Sequence, residues 1–84
     1  MPEKIKVGTV DHYYDKIGVV AVTLSDEIAL GDMLVFKKGE KEIEQKVTSM
    51  QINKIAVERG FKGDSVGIKV DQPVEEGSEV YKEL

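Results

Sequence analysis

Hydrophobic and polar positions alternate along most of the chain in short runs, and turns carrying glycine or aspartate interrupt them at close intervals. Alternation with a period of two marks strands with one face buried. Residues 5–14 (IKVGTVDHYY) form the first such run, rich in Val, Thr and Tyr, with Gly8 inside it. A glycine within a strand marks a bulge or the close approach of another backbone. Asp15 and Lys16 turn the chain. Residues 17–24 (IGVVAVTL) then return nearly all apolar and β-branched, which predicts a strand buried on both faces and paired with the first in a hairpin.

Residues 25–30 read as a loop closed by Gly31-Asp32, and residues 33–36 as a short strand. Lys38-Gly39-Glu40 turns the chain again, and residues 41–52 return, with Ile43 and Val47 an even number apart. The segment 46–59 has two readings. Val47, Met50, Ile55 and Glu58 fit one helical face ending at Gly60, but that template collects charged and apolar positions alike. A strand to Ile52 followed by an irregular bend is therefore expected, with a register break beside Met50 and Gln51. Residues 66–70 and 79–82 close the series, separated by Asp71-Gln72-Pro73. One pattern recurs: Leu30-Gly31-Asp32-Met33-Leu34, Lys62-Gly63-Asp64-Ser65-Val66 and Glu76-Gly77-Ser78-Glu79-Val80 share a glycine, then Asp or Ser, then a strand start. Glycine supplies the positive φ of a tight turn and the next side chain bonds nearby backbone. Six short strands predict an all-β fold, a small closed six-stranded β-barrel spanning residues 1–84 as a single domain. Closure would remove exposed edges.

Composition narrows the function classes. The 84 residues include no cysteine, no tryptophan and one histidine, so a disulfide scaffold or zinc ribbon is excluded. The longest apolar stretch, residues 17–22, falls far short of the roughly 20 residues that cross a bilayer. Residues 1–4 lead straight into alternating sequence with no apolar leader, and no membrane association is expected. Absence of cysteine fits a cytoplasmic protein. Twelve Lys+Arg against 16 Asp+Glu give a net charge of −4. The densest basic stretch, Lys37, Lys38, Lys41 and Lys46, is interleaved with Glu40, Glu42 and Glu44. Only weak non-specific nucleic-acid binding follows.

Catalytic chemistry is sought and not found. His12 is the single imidazole, and the serines at 25, 49, 65 and 78 each have a turn or strand role. No glycine begins a phosphate-cradling G-x-x-x-x-G-K-(S/T) loop. Asn53-Lys54-Ile55-Ala56 lacks the carboxylate that a guanine-reading N-K-x-D motif needs at its fourth position. No enzyme activity, cofactor, metal or nucleotide is expected. The best candidate for binding is His12-Tyr13-Tyr14. Adjacent strand residues face opposite ways, so one tyrosine is exposed near the hairpin tip beside Asp15 and Lys16. It either anchors a partner or covers the barrel mouth with its hydroxyl in water. Phe61 reads first as a core plug and second as a ligand contact. His12, Tyr13, Tyr14 and Lys16 are the primary binding candidates, with Lys37, Lys38 and Lys41 as secondary ones.

Residues 7–14, 16–19, 30–32, 49–52, 63–70 and 80–82, taken in order, resemble the small stand-alone translation elongation factor-like proteins and, more broadly, the second domain of elongation factor Tu. Similar barrels also resemble C-terminal modules of collagenase-like peptidases. The resemblance implies a six-stranded Greek-key-type barrel and a non-enzymatic binding or adaptor role, contacting a protein or a structured RNA of the tRNA or ribosome kind. An accessory module docking onto a collagenase-like peptidase or other enzyme is the alternative. The nucleotide domain of the translational GTPases is missing here, so no catalytic residue carries over.

Overall fold

In the computed structural model, which describes residues 3–84, regular structure among the described residues is entirely β. Met1 and Pro2, part of the segment read as leaderless, lie outside the described residues. The strands are β1 (Lys4–Tyr14), β2 (Val19–Leu24), β3 (Ile28–Ala29), β4 (Met33–Lys38) and β5 (Lys41–Lys46), followed by β6 (Met50–Ile52), β7 (Ile55–Ala56), β8 (Arg59–Gly60), β9 (Ser65–Lys69) and β10 (Glu79–Glu83). Eight of them form one antiparallel sheet in the order β5-β4-β10-β1-β2-β9-β6-β7, and β3 pairs with β8 in a separate ribbon. Side chains from both ends of the sheet meet in one apolar cluster that includes Val20, Val22, Phe36, Met50, Ile68 and Val80, so the sheet is strongly curled.

The expectation of six strands closed by hydrogen bonding is corrected. The ladder is open, with β5 and β7 as its edges. The reason lies in residues 47–49. Ile43, Gln45 and Val47 face inward at even spacing, then Met50 and Ile52 do the same, so the inward phase slips by one residue between Val47 and Met50. Strand β5 therefore continues into β6 around a corner, and the two are joined along the chain with no ladder between them. The helical reading of this segment fails. Asn53 and Lys54, at φ of 53° and 66°, instead make a two-residue hairpin turn between β6 and β7.

The glycine expectations hold at the positions that need them. A side chain on Gly8 would stand 2.6 Å from the Thr23 carbonyl oxygen, and the β1 register shifts between Lys6 and Gly8. The three recurrent tetrads form the same turn. Ala29–Asp32, Phe61–Asp64 and Glu75–Ser78 each place glycine third, at φ of 93°, 91° and 85°. In each, the fourth residue's N–H donates to the first residue's carbonyl. The Asp32 carboxylate accepts the Ala29 N–H at 2.8 Å, and Asp64 accepts the Phe61 N–H at 2.9 Å.

Two of these turns expose an internal duplication. Gly31 and Asp32 bond the backbone of Val47, while Gly63 and Asp64 bond that of Leu24 in the same pattern. Strands β2-β3-β4 and β5-β8-β9 are thus equivalent, each half lending a strand to the other: β2 pairs with β9, and β5 with β4. Registers match as well, Val35 opposite Glu44 corresponding to Gly67 opposite Ala21. The ribbon β3·β8 sits between the halves.

Candidate docking surface

Alternation along β1 sends His12 and Tyr14 to the outer face and Tyr13 toward the core, where it packs half-buried. The His12 and Tyr14 rings meet edge to face, 4.4 Å between centroids. The His12 imidazole Nδ1 contacts the Glu76 carboxylate, which also accepts the Tyr13 N–H at 3.4 Å. From the other side, Lys38 Nζ donates to the Glu76 carbonyl oxygen at 2.6 Å and Lys41 reaches Glu75 Oε1 at 3.5 Å. The structure therefore gathers His12, Tyr13, Lys38 and Lys41 around the Glu75–Glu76 loop. His12 and Lys41 meet carboxylates within the chain, and Lys38 a backbone carbonyl. Lys16 stays apart in the Asp15–Gly18 turn, and Lys37 stands on the outer face of β4 beside Glu42 and Tyr81. Glu75 and Glu76, the organisers of the cluster, carried no sequence signal beyond two adjacent acids before a glycine.

Two sheet faces differ sharply. Over β4 and β10, Val35 points away from the central cluster yet is 2% exposed, covered by its outer-face neighbours. Tyr81 donates its hydroxyl to Glu79 at 2.6 Å, and Lys6 pairs with Glu79 at 3.8 Å. This hydrogen bond, then the Lys6 charge, holds the Glu79 carboxyl below its ordinary value, and the same bond raises the Tyr81 hydroxyl above its own.

Over β2 and β9 the surface is apolar and indented. A groove of about 400 Å³ is walled by Tyr14, Ile17, Val19 and Ala21 on one side and by Gln51, Asn53 and Lys54 on the other. Its floor includes Gly67. Ile17 is 66% exposed and Tyr14 48%. This corrects the expectation of a strand buried on both faces. Residues 17–24 present Val20, Val22 and Leu24 inward, while Val19 and Ala21 line open surface and Ile17 lies in the preceding turn. The signal was in the sequence: an unbroken apolar run on a sheet with one covered face leaves an uncovered apolar stripe. Phe61, expected as a core plug, is 53% exposed at its turn. No helix among the described residues is long and apolar enough to cross a membrane.

No protein-family model matches the chain. It is 39% identical over 79 residues to uncharacterized protease MJ0090 of Methanocaldococcus jannaschii, a match covering 93% of this chain and 19% of that protein. The chain thus spans about a fifth of the length of the curated relative it matches. Its fold is that of the C-terminal domain of a candidate U32 peptidase from Geobacillus thermoleovorans. One crystal structure of that domain superposes with a TM-score of 0.86 at 20% identity, covering 94% of this chain and 92% of that one. A second, of the selenomethionine variant, gives 0.84 at 18%, covering 90% and 96%. These findings overturn the resemblance to translation elongation factor-like proteins. Much of what carried that resemblance is geometry: Leu30-Gly31-Asp32 and Gly63-Asp64-Ser65 are turn chemistry that this sheet requires, and they report a fold and not a role.

Proposed function

We propose that the chain is a non-catalytic β module that packs against a peptidase body, the accessory role weighed from its sequence. The observation that carries this reading is the match to part of a protease, spanning 93% of this chain and leaving four-fifths of the relative outside it. The fold shared with a peptidase C-terminal domain supports it. The chemistry of the described residues agrees. His12 is engaged by Glu76 and Tyr14, and no serine or threonine hydroxyl bonds it. Lys41 is paired with Glu75, and the acids Glu75 and Glu76 flank Lys38, which favours a protein partner over an RNA phosphate backbone.

The test is an exchange. The matched 79-residue region of the M. jannaschii relative is replaced by this whole chain, and the chimera is compared with the free chain by calorimetry. Docking predicts that the module unfolds at a higher temperature in the chimera than alone. An unchanged transition means an independent bead on a tether and rejects the proposal. Peptide hydrolysis by the free chain, measured separately, rejects the non-catalytic reading.

A further inference from the structure

We infer that the groove between the first hairpin and the β6–β7 turn is the face that seats the peptidase body, an inference that rests on the docking reading above. Its occupant is a convex apolar ridge of that body, flanked by carboxylates.

The argument begins from the duplication. At equivalent positions of the two halves stand Val35 and Gly67. Around Val35 the outer face is filled and carries Glu42, Glu44 and Lys37; the equivalents around Gly67 are Val19, Ala21 and Lys69. One outer face, over β4 and β5, is thus finished as a solvated charged surface. On the other, the acids are replaced by apolar side chains and the central side chain is deleted. Nothing in the backbone requires that deletion. The Gly67 φ lies outside the left-handed region, and an added Cβ would stand 3.3 Å from Val19 Cγ1, a contact that needs a shift of a few tenths of an ångström. A glycine where no turn demands one leaves room for an incoming group. Polar groups at Gln51, Asn53 and Lys54 rim the apolar wall, the arrangement of an interface core and its edge.

Charge selects the occupant. Lys16 follows the wall residue Tyr14 in the hairpin turn, Lys54 lines the rim and Lys69 lies opposite Val19. None of the three forms an ion pair with another described residue. On the same face Asp11 is held by the Thr23 hydroxyl. Asp15 and Asp11 lie further out, but among the residues that line the groove Lys54 alone is charged, so the lining itself is cationic and a partner carrying carboxylates around its apolar ridge complements it.

The experiment uses three variants in both the free chain and the chimera: Gly67→Val, which restores the side chain of the other half; Ile17→Asp, which charges the exposed wall; and Lys37→Glu, on the opposite face. The expected result is that all three fold as free chains, that Gly67→Val and Ile17→Asp lose the rise in unfolding temperature on joining the body, and that Lys37→Glu keeps it. Hydrogen exchange should slow at the Val19–Leu24 and Ser65–Lys69 amides of the chimera. Should Gly67→Val unfold the free chain, Ile17→Asp and the exchange pattern still decide. A full rise in Gly67→Val and Ile17→Asp overturns the groove assignment while docking stands. No rise in the wild-type chimera overturns both. Concentration-dependent dimerisation of the free chain, abolished by Gly67→Val, would give the groove to a second copy and overturn the occupant named here.

Discussion

The halves β2-β3-β4 and β5-β8-β9 share a blueprint on their inner surfaces and part company on their outer ones. Inside, Phe36 opposite Ile43 matches Ile68 opposite Val20, and the Asp32 and Asp64 turns are superimposable in their hydrogen bonds. Outside, Glu42 and Glu44 on β5 stand at the positions that Val19 and Ala21 occupy on β2. Packing constrains the interior of both halves alike, because each lends a strand to the other's ladder. The exterior is free of that constraint, so its divergence reports what each face meets. Each outer face takes one strand from each half, and the β4·β5 face carries charge where the β2·β9 face is apolar.

Attacks on the shared interior should cost most. Phe36→Ala is expected to destabilise by about 3–5 kcal/mol and Ile68→Ala by about 2–5 kcal/mol, read by urea unfolding. A small loss at one position and a large loss at the other would break the equivalence of the halves. Removing the turn carboxylates should cost less. Asp32→Ala strands a part-buried backbone N–H, at about 1–2 kcal/mol, and Asp64→Ala costs less because its site is exposed and water can replace the carboxylate. On the outer faces, Val35→Ala should cost about 1.5 kcal/mol for the apolar groups it withdraws from a covered site. Ile17→Asp in the free chain should change stability by less than about 0.5 kcal/mol, since that side chain is already in water.

The smallest effect is electrostatic. Because its neighbours lower the Glu79 carboxyl, their contribution is present above the ordinary carboxylate range and is lost as pH falls through the depressed value. Tyr81 has the opposite sign: its hydroxyl is raised, so the contribution is present below the ordinary tyrosine value and is lost as pH rises through the elevated one. Glu79→Gln should bring the Tyr81 titration down toward that of a free tyrosine, measured by ultraviolet absorbance against a Tyr81→Phe reference.

The same contrast separates what sequence could reveal from what it could not. Short-range rules succeeded. Alternation located the long hairpin, the pattern of glycine followed by aspartate or serine found three real turns, and Gly8 signalled the close approach of β2. Longer-range questions failed for physical reasons. The corner at Val47–Ser49 arises from a one-residue phase slip, which period counting blurs into either a continuous strand or a helical face. The Glu76 cluster joins residues from three separate segments, a proximity that no local spacing encodes. The groove was visible as an apolar excess in residues 17–24, but reading that excess as burial required assuming that both faces were covered.

The exchange of strands between halves also bears on how the molecule comes into being. During synthesis β2 emerges long before β9, and β4 long before β10, so early segments wait for partners not yet made. Neither half can mature ahead of the other. A nascent chain halted before Lys69 would therefore leave one edge of β2 unpaired and hold an apolar surface with nowhere to hide it.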